Sequence, residues 1–412
     1  MKVWHLAWEY PPLVHGGLGR HVESLTAAQR ALGLDVGVLT CRDDVTGAST
    51  TLPPAHEHAE PRPGHGGLDV VRVGLGRAWR EVVADAAAWQ DAVAEAAQGG
   101  FERAPQLLHA HDWMVADAAA RLSRTLGVPW VLTVHATEHG RRQGRLDEPV
   151  HRAVHAAEQR AVAAAGRVVV CSRAMRAEVT DALGADPSSV VVVPGAVDAT
   201  AWQPDAEALA HARRRWRPDD SPLVVAAGRL EWEKGFTTLL RALPAVQERH
   251  PSLHTVVAGA GSYRPTLEAL AADLGLVGGP RQPPVQLPGR LDRPQLAALL
   301  AAADVVVVPS RYEPFGLVAL EAMAAGACVV VTATGGLAEQ VEDDVNGRVV
   351  DPGDVDGLAA ALAELLTNRE LRGRLAQAGR EAARQRPWSG VAERTLAVYR
   401  SVLDGSAGRS AG

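Results

Sequence analysis

Residues 223–235 read LVVAAGRLEWEKG, a short apolar run followed by a loop that contains glycine. An uninterrupted apolar strand of this length is typical of a parallel sheet, because helices cover both of its faces. Further apolar runs follow, and helical patterns separate them. The strands predicted in this half of the chain are residues 223–227, 255–258, 305–308, 329–332 and 348–350.

The first half of the chain carries the same alternation of strands and helices. Strands are predicted at residues 3–7, 36–40, 107–110, 131–134 and 168–171, with a helix over residues 19–32. A chain of 412 residues is long enough for two cores. Two successive βα series predict two doubly wound α/β domains. The Pro-Gly segment at residues 193–198 marks their boundary, giving domains at 1–200 and 201–384.

Composition narrows the class of protein. The net charge of −6 and the pI near 6.2 argue against a general nucleic-acid binder, which would carry a basic excess. The three cysteines are an odd number without C-x-x-C spacing, so a reducing compartment is expected. The apolar run at residues 3–7 is too short for a signal peptide or a membrane span. These features predict a soluble cytoplasmic protein without integral membrane contact.

A glycine-rich loop follows the first predicted strand. Gly16, Gly17 and Gly19 open the first predicted helix, where free N–H groups and the helix dipole favour an anion. Many βα turns are glycine-rich for steric reasons alone, so this signal is weak by itself. The spacing also departs from G-x-G-x-x-G, which argues against a dehydrogenase.

Two cations lie in the loop after the strand at residues 223–227. Arg229 offers a bidentate fork and Lys234 a compact charge, a combination suited to a diphosphate. Lys234 is one of only two lysines in the chain, the other being Lys2. The alternative interpretation is a loop with two solvated cations.

Residues 309–321 read PSRYEPFGLVALE and carry two glutamates eight positions apart. A helix is predicted to begin around Pro314. Eight helical residues span about 12 Å, too far for a hydrolytic pair of carboxylates. Glu313 and Glu321 are instead predicted to contact opposite ends of one elongated ligand, with a diphosphate at the helix N-terminus between them.

Together these motifs resemble the GT4 family of glycosyltransferases over nearly the whole chain. The resemblance implies the GT-B fold: two Rossmann-like domains, a central cleft, and a last helix, at 385–404, that crosses back to the first domain. It assigns the transferred sugar to Glu313 and the nucleotide ribose to Glu321. The implied donor-binding residues are Gly16, Gly17, Gly19, Arg229, Lys234, Phe315, Gly316, Leu317 and Glu321.

The first domain resembles the glycogen-synthase-like branch of the family, through residues 8–12, 109–113 and 133–137. The resemblance implies that His135 borders the reacting sugar and that Asp112 lines the acceptor side. Both are predicted catalytic residues together with Glu313. The alternative is structural, since His135 ends a predicted strand and can be a hydrogen-bonded core residue. Long bacterial starch and glycogen synthases carry a lysine where this chain has Val14, a departure from the enzymes that use ADP-sugars.

The resemblance implies a retaining hexosyltransferase that moves a glucose-like sugar from a nucleotide-diphosphate sugar such as a UDP-sugar. The acceptor hydroxyl belongs to a sugar, an α-glucan or a small molecule such as an aminocyclitol or natural product. No cofactor and no metal are expected, because Arg229 and Lys234 neutralise the diphosphate, and His56, His58 and His65 lack ligand-like spacing. An epimerase of the same fold and a non-catalytic sugar-nucleotide-binding module are the alternatives. The sequence does not predict an oligomeric state.

Overall fold

The computed structural model divides the chain into two compact units. The N-terminal unit contains residues 1–194 and 388–412, and the C-terminal unit contains residues 195–387. The structure describes residues 1–12, 14, 16–41, 68–73, 82–96, 104–217, 221–277 and 285–410. The three histidines at positions 56, 58 and 65 lie outside these residues.

The N-terminal unit alternates strands with helices. Its strands are β1 (Lys2–Ala7), β2 (Asp35–Cys41), β3 (Asp69–Val73), β4 (Leu107–His111), β5 (Trp130–Val134), β6 (Val168–Val170) and β7 (Val190–Val192). Helices α1 to α6 cover Gly17–Ala31, Val82–Ala96, Ala116–Leu126, Glu138–Arg141, Pro149–Ala164 and Arg173–Leu183. Strands β1, β4 and β5 are almost entirely buried, as expected for central strands of a parallel sheet.

The C-terminal unit repeats this arrangement. Its strands are β8 (Leu223–Ala227), β9 (His254–Ala258), β10 (Val285–Gly289), β11 (Val305–Val308), β12 (Cys328–Thr332) and β13 (Arg348–Val350). Helices α7 to α14 cover Ala206–Trp216, Phe236–Arg249, Arg264–Asp273, Arg293–Ala302, Leu317–Ala325, Leu337–Gln340, Val355–Thr367 and Arg369–Arg384. Side chains of β8, β11 and α8 form one apolar core with those of α13.

Both sheets are parallel and reverse their strand order at one point. Among the described residues the orders are β3-β2-β1-β4-β5-β6-β7 and β10-β9-β8-β11-β12-β13. The order therefore reverses between β1 and β4 in one unit and between β8 and β11 in the other. Ligands of doubly wound sheets bind outside the carboxyl ends of the strands at such a reversal. A ligand site is therefore expected at the loops after these four strands.

The chain ends in helix α15 (Trp388–Ser410), which belongs to the N-terminal unit. It packs against α1, and the ring of Tyr399 is fully buried there. The C-terminal helix therefore belongs to the same unit as the first residues of the chain.

Three strands escape the sequence prediction. Strands β3 and β10 carry polar residues or proline, which interrupt their apolar runs. Strand β7 has an apolar run of valines that ends at the predicted domain boundary, and the sequence prediction overlooked it. The helix predicted over residues 19–32 begins two residues earlier, at Gly17.

Candidate active site

Glycines hold the loop after β8 against its neighbours. A Cβ atom on Gly259 would lie 1.8 Å from the carbonyl oxygen of Gly228, so the loops after β8 and β9 touch backbone to backbone. Gly235 has a φ of 66°, and a Cβ there would lie 1.9 Å from the carbonyl oxygen of Pro309. Only glycine permits approaches this close. The loops after β8 and β11 therefore meet at the reversal of the strand order.

Hydrogen bonds join the same two loops. The N–H groups of Arg311 and Tyr312 donate to the carbonyl oxygen of Glu233, at 2.8 and 3.2 Å. The guanidinium of Arg311 also lies 5.3 Å from the ring centre of Trp232. These contacts fix the position of the turn at Trp232–Lys234 relative to the loop after β11.

The contact between the loops places Lys234 against Glu313. The Lys234 Nζ atom lies 2.8 Å from Glu313 Oε2, and the Ser310 hydroxyl donates to the same oxygen at 3.0 Å. Both charged side chains are largely buried, with 17% and 14% of their surface exposed. Arg229 is more open, at 43% exposed, and its guanidinium pairs with the Glu233 carboxylate at 2.9 Å. Two cations and two carboxylates thus lie on the two loops that meet here.

Helix α11 begins later than the sequence predicts. Its first residue is Leu317, and Gly316 precedes it with a φ of 99°, so the expectation of a helix from Pro314 is wrong. The N–H of Gly336 donates to the carbonyl oxygen of Glu313 at 3.0 Å, which holds that residue in a loop. The spacing of 12 Å along a helix therefore does not describe Glu313 and Glu321. Glu321 alone lies on the helix, 7% exposed.

The segment before α11 carries both packing and polar groups. The Phe315 ring is buried, and a Cβ on Gly195 would lie 2.6 Å from it. The side-chain amide of Gln340 donates to the carbonyl oxygen of Phe315. Phe315 and Gly316 lie at the N-terminus of α11, a helix of nine residues. Their backbone groups are what they offer a ligand, and anions are favoured at this end of a helix.

In the N-terminal unit, the glycine-rich loop opens α1. The N–H of Gly16 donates to Glu9 Oε2 at 3.0 Å, so a carboxylate already lies beside the positive end of the helix. Gly19 is buried, and a Cβ there would lie 3.1 Å from side-chain atoms of both Glu9 and Val14. The glycines at this position permit close packing as well as access to the helix end.

Asp112 and His135 come together at the ends of β4 and β5. The Asp112 carboxylate accepts the backbone N–H of His135 at 2.7 Å. Burial raises the pKa of Asp112 to about 6, although the N–H groups of His135 and Ala136 counteract it. Burial, followed by the charge of Arg141, lowers the pKa of His135 to about 4. His135 is therefore neutral at physiological pH.

A cavity of about 190 Å³ adjoins Asp112. Asp112 lies in its wall together with Trp113, and the other lining residues come from Met114, Ala136, Glu138, Arg141, Arg142, Val150, His151 and Val154. The Arg142 guanidinium pairs with Glu138 at 2.9 Å. The cavity is smaller than the 300–1,000 Å³ typical of drug-sized ligands, and its wall is charged.

Comparison with known proteins gives the family. Residues 16–196 match the profile described as a glycosyl transferase 4-like domain, and residues 210–382 match glycosyl transferases group 1. Glycogen synthase from Mycobacterium tuberculosis is 36% identical over 416 residues, which cover 98% of this chain and 96% of that protein. This chain belongs to the GT4 family of glycosyltransferases.

Two further relatives support the same family assignment. D-inositol 3-phosphate glycosyltransferase from Xylanimonas cellulosilytica is 37% identical over 306 residues, 71% of each chain. Sucrose-phosphate synthase from Thermosynechococcus elongatus has a structure that matches with a TM-score of 0.81 at 25% identity, covering 98% of this chain and all of that one. The two parallel sheets with flanking helices are those of the GT-B fold. The predicted fold class, family and transferase class are confirmed.

The structure of this glycosyltransferase brings some predicted site residues into contact. Lys234 touches Glu313, and Asp112 touches the backbone of His135. Arg229 pairs instead with Glu233, a residue that the sequence did not single out. The roles of all these residues in catalysis or donor binding stay predictions.

Sequence reasoning missed a buried row of histidines in this glycosyltransferase. Side chains of β1, α1, β4, β5 and α15 form one hydrogen-bonded series, called here the histidine line: His135, His111, His5, Gln29, Tyr399, His109 and Thr133. The signal was present, because histidines occupy alternate positions of β4 and the register aligns His5 with His109. His21 packs against the line, 4.8 Å from His135 between ring centres.

Two trios of these histidines have a spacing that suits a metal ion. They are His5, His109 and His111, and His21, His111 and His135, with one nitrogen of each lying within 4.8 Å of the others. In the first trio all six ring nitrogens already have hydrogen-bond partners. A metal in the first trio would have to break several of these bonds, so that trio is better described as a hydrogen-bonded network.

Within the described residues, no helix has the length and apolar character needed to cross a membrane.

Proposed function

We propose that this chain is a retaining hexosyltransferase that uses a nucleotide-diphosphate sugar with a glucose-like sugar. The observation that carries the proposal is the 2.8 Å contact between Lys234 and Glu313 at the reversal of the strand order in the C-terminal unit. It places a cation suited to a diphosphate beside a carboxylate suited to sugar hydroxyls.

The donor binds the C-terminal unit in this proposal. Lys234 and Arg229 neutralise the diphosphate together with the N–H groups at the start of α11, and Glu321 accepts from the ribose hydroxyls. Arg229 is available because 43% of its side-chain surface is exposed, although its partner Glu233 is largely buried. Glu313 accepts from hydroxyls of the transferred sugar. The lack of a lysine at Val14 favours a UDP-sugar over an ADP-sugar.

In the transfer step, the bond between the anomeric carbon and the diphosphate oxygen breaks, and a bond to the acceptor oxygen forms on the same face. The acceptor hydroxyl gives its proton to the departing diphosphate, so retention needs no protein nucleophile. Charge grows on the diphosphate as the bond breaks, and positioned cations and N–H groups stabilise it. The scheme requires no metal ion.

The acceptor binds the N-terminal unit, at the cavity beside Asp112. Its charged wall suits a polyhydroxylated molecule, because carboxylates and guanidinium groups hydrogen-bond hydroxyls. The names of the relatives point to two acceptor classes, an α-glucan and an inositol phosphate. We propose a sugar, an α-glucan or a small polyol as the acceptor class. His135 meets the transferred sugar.

The test is a donor and acceptor panel read by mass spectrometry. UDP-, ADP- and GDP-glucose are each incubated with maltooligosaccharide, an inositol phosphate or an aminocyclitol, with and without EDTA. A hexose added to one acceptor, with undiminished yield in EDTA, supports the proposal. An isomerised sugar nucleotide from donor alone indicates an epimerase. Donor binding without turnover for any pair indicates a binding module, and loss in EDTA restored by magnesium overturns the metal-free scheme.

A further inference from the structure

The histidine line connects His135 with the buried ring of Tyr399 on α15. From His135 Nε2 the contacts run to His111 Nδ1 at 3.0 Å, and from His111 Nε2 to His5 Nδ1 at 3.0 Å. His5 Nε2 then meets the Gln29 amide oxygen at 2.8 Å. The other end of that amide donates to the Tyr399 hydroxyl at 2.9 Å. No break interrupts this path.

Every histidine on the line is neutral at physiological pH. Burial lowers the pKa of His5 to about 4 and the pKa values of His109 and His111 well below their usual range. A neutral imidazole has one donor nitrogen and one acceptor nitrogen. Each ring that donates through one nitrogen must therefore accept through the other. The direction of one bond fixes the direction of its neighbours.

Gln29 sets that direction, because its amide has chemically different ends. Its nitrogen donates to Tyr399, so its oxygen must accept from His5 Nε2–H. His5 Nδ1 then accepts from His111 Nε2–H, and His111 Nδ1 accepts from His135 Nε2–H. His135 is left with a lone pair on Nδ1, an atom without a hydrogen-bond partner in the described part of the chain.

We propose that Gln29 and Tyr399 are positioning residues, which hold His135 as the Nε2–H tautomer and so keep its Nδ1 as a hydrogen-bond acceptor. Resting on the proposed function, this assigns Nδ1 to a hydroxyl of the transferred sugar. In the opposite tautomer Nδ1 would carry the hydrogen, and the sugar hydroxyl would have to accept a hydrogen bond instead of donating one. The second branch of the line is compatible with this direction: the Tyr399 hydroxyl, which accepts from Gln29, can donate to His109 Nδ1 at 2.6 Å, and His109 Nε2–H can then donate to Thr133 at 2.7 Å.

The test combines a spectrum with kinetics. Proton–nitrogen NMR of protein labelled with ¹⁵N-histidine identifies the protonated nitrogen of each ring, and His135→Gln assigns the His135 signal. The wild type is expected to show His135 protonated on Nε2 alone, without any substrate present. Tyr399→Phe keeps the ring but removes the acceptor of the Gln29 amide. It should give a mixture of His135 tautomers and lower kcat about fivefold at unchanged KM for the donor.

Thr133→Val is the matched control. It also removes one buried hydrogen bond, but at the far end of the line, where the bond between Gln29 and Tyr399 is retained. It should keep the His135 tautomer and kcat of the wild type. A second variant, Gln29→Met, should reproduce the effect of Tyr399→Phe.

Three results would overturn the proposal. They are an Nδ1–H signal for His135 in the wild type, a kcat for Tyr399→Phe equal to that of the wild type, and an equal loss of kcat in Thr133→Val. The wild-type spectrum does not need an active enzyme, and the only variant it needs is His135→Gln, for the assignment. Loss of the proposed function would therefore appear as absent transfer with the Nε2–H signal intact, whereas failure of this inference appears in the spectrum.

Discussion

Lys234 and Glu313 form the closest charged contact of the candidate site, and each is largely buried. An ion pair of this kind loses solvation as it forms, so its geometry and additional hydrogen bonds decide whether it contributes to stability. Ser310 supplies one such bond to Glu313. Because the pair lies at a position where the strand order reverses, we interpret it as a feature of the site rather than of the core.

Replacement of the two cations should reduce turnover. A contact between a cation and the diphosphate is worth about 1.5–3 kcal/mol, so Arg229→Ala and Lys234→Ala should each lower kcat at least about tenfold. Arg229→Ala should also lower Tm, because the Glu233 side chain, only 11% exposed, loses its partner. Lys234→Ala should lower Tm, because Glu313 loses its partner. Steady-state kinetics well below Tm measures the effect.

Arg264→Ala is the matched control for Arg229→Ala. Arg264 also pairs with the glutamate four residues later in the chain, at 2.7 Å, and its side chain is similarly exposed, at 38%. Its loss should leave kcat unchanged. Normal turnover in both Arg229→Ala and Lys234→Ala would remove the diphosphate assignment.

The two glutamates should separate sugar binding from nucleotide binding. Glu313→Gln should lose most turnover yet bind free nucleoside diphosphate, because Glu313 acts on the sugar. Glu321→Gln should weaken binding of the nucleoside diphosphate itself. Calorimetric titration of UDP into both variants measures this. If Glu313→Gln loses affinity and Glu321→Gln retains it, the proposed donor orientation is reversed.

At the residue scale, the motifs predicted which side chains to examine but not how they pair. Arg229 and Lys234 were predicted from charge alone, whereas their partners depend on a contact between loops far apart in the chain. The histidine line was missed for the same reason. Its members come from five elements, and only the register of the sheet aligns them.

At the element scale, the loops after β8 and β11 depend on Gly235 for their contact. Its Cβ would collide with the Pro309 carbonyl oxygen, so Gly235→Ala must separate the loops. Gly275 provides a control, since it has a similar φ of 71° with nothing within 4 Å of its Cβ. Both variants incur about 1–2 kcal/mol of left-handed strain. Gly235→Ala should lose several degrees more in Tm and at least tenfold more in kcat/KM.

Thermal melts and donor-dependent kinetics of both variants decide this prediction. Equal losses in the two would show that backbone strain alone is responsible, and that the loop contact does not build the site.

Element types followed from apolar runs, whereas element ends did not. Strand β11 is four consecutive buried valines and was predicted directly. The predicted start of α11 was wrong because a proline favours the first turn of a helix, whereas here Gly316 follows with a positive φ and packs against Leu337. The helix therefore begins only after Gly316. Polar contacts with residues 334–336 hold the loop before α11 in place. These contacts join segments that are distant in the chain, so no local sequence pattern predicts them.

At the scale of the whole molecule, acid should unfold the N-terminal unit first. Five histidines in or beside the histidine line, His5, His21, His109, His111 and His135, have pKa values lowered mainly by burial, to about 4 for His5 and His135. The unfolded chain binds these protons from about pH 6.5 downward and the folded unit does not, so the free energy of unfolding falls with pH across that window. The raised pKa values of Asp112 and Glu158 act in the opposite direction, but they are two groups against five.

Calorimetry from pH 7.5 to pH 5, with hydrogen exchange to locate the unfolded segments, measures this effect. Strands β1, β4 and β5 should lose protection at a lower temperature than β8 and β11 as the pH falls. A melting profile that does not change between pH 7.5 and pH 5 would contradict the neutral state of the buried histidines.

The repetition of βα units made the two-unit α/β architecture predictable, because a buried parallel strand leaves a clear mark in the sequence. The sequence carries no comparable pattern for the chemical identity of the donor and the acceptor. Hydroxyls of different sugars and polyols are recognised by the same few polar groups, and the cavity beside Asp112 offers charged groups that suit many of them.

Proton NMR of the complete reaction tests the central claim most directly. The protein is incubated with an α-linked nucleoside diphosphate glucose and the acceptor found by the panel, and the anomeric signal of the first product is followed. We predict a new α-glycosidic signal that appears only with acceptor and grows as the donor signal decreases. A β-glycosidic product, or consumption of donor without any glycosidic product, would contradict a retaining glycosyltransferase.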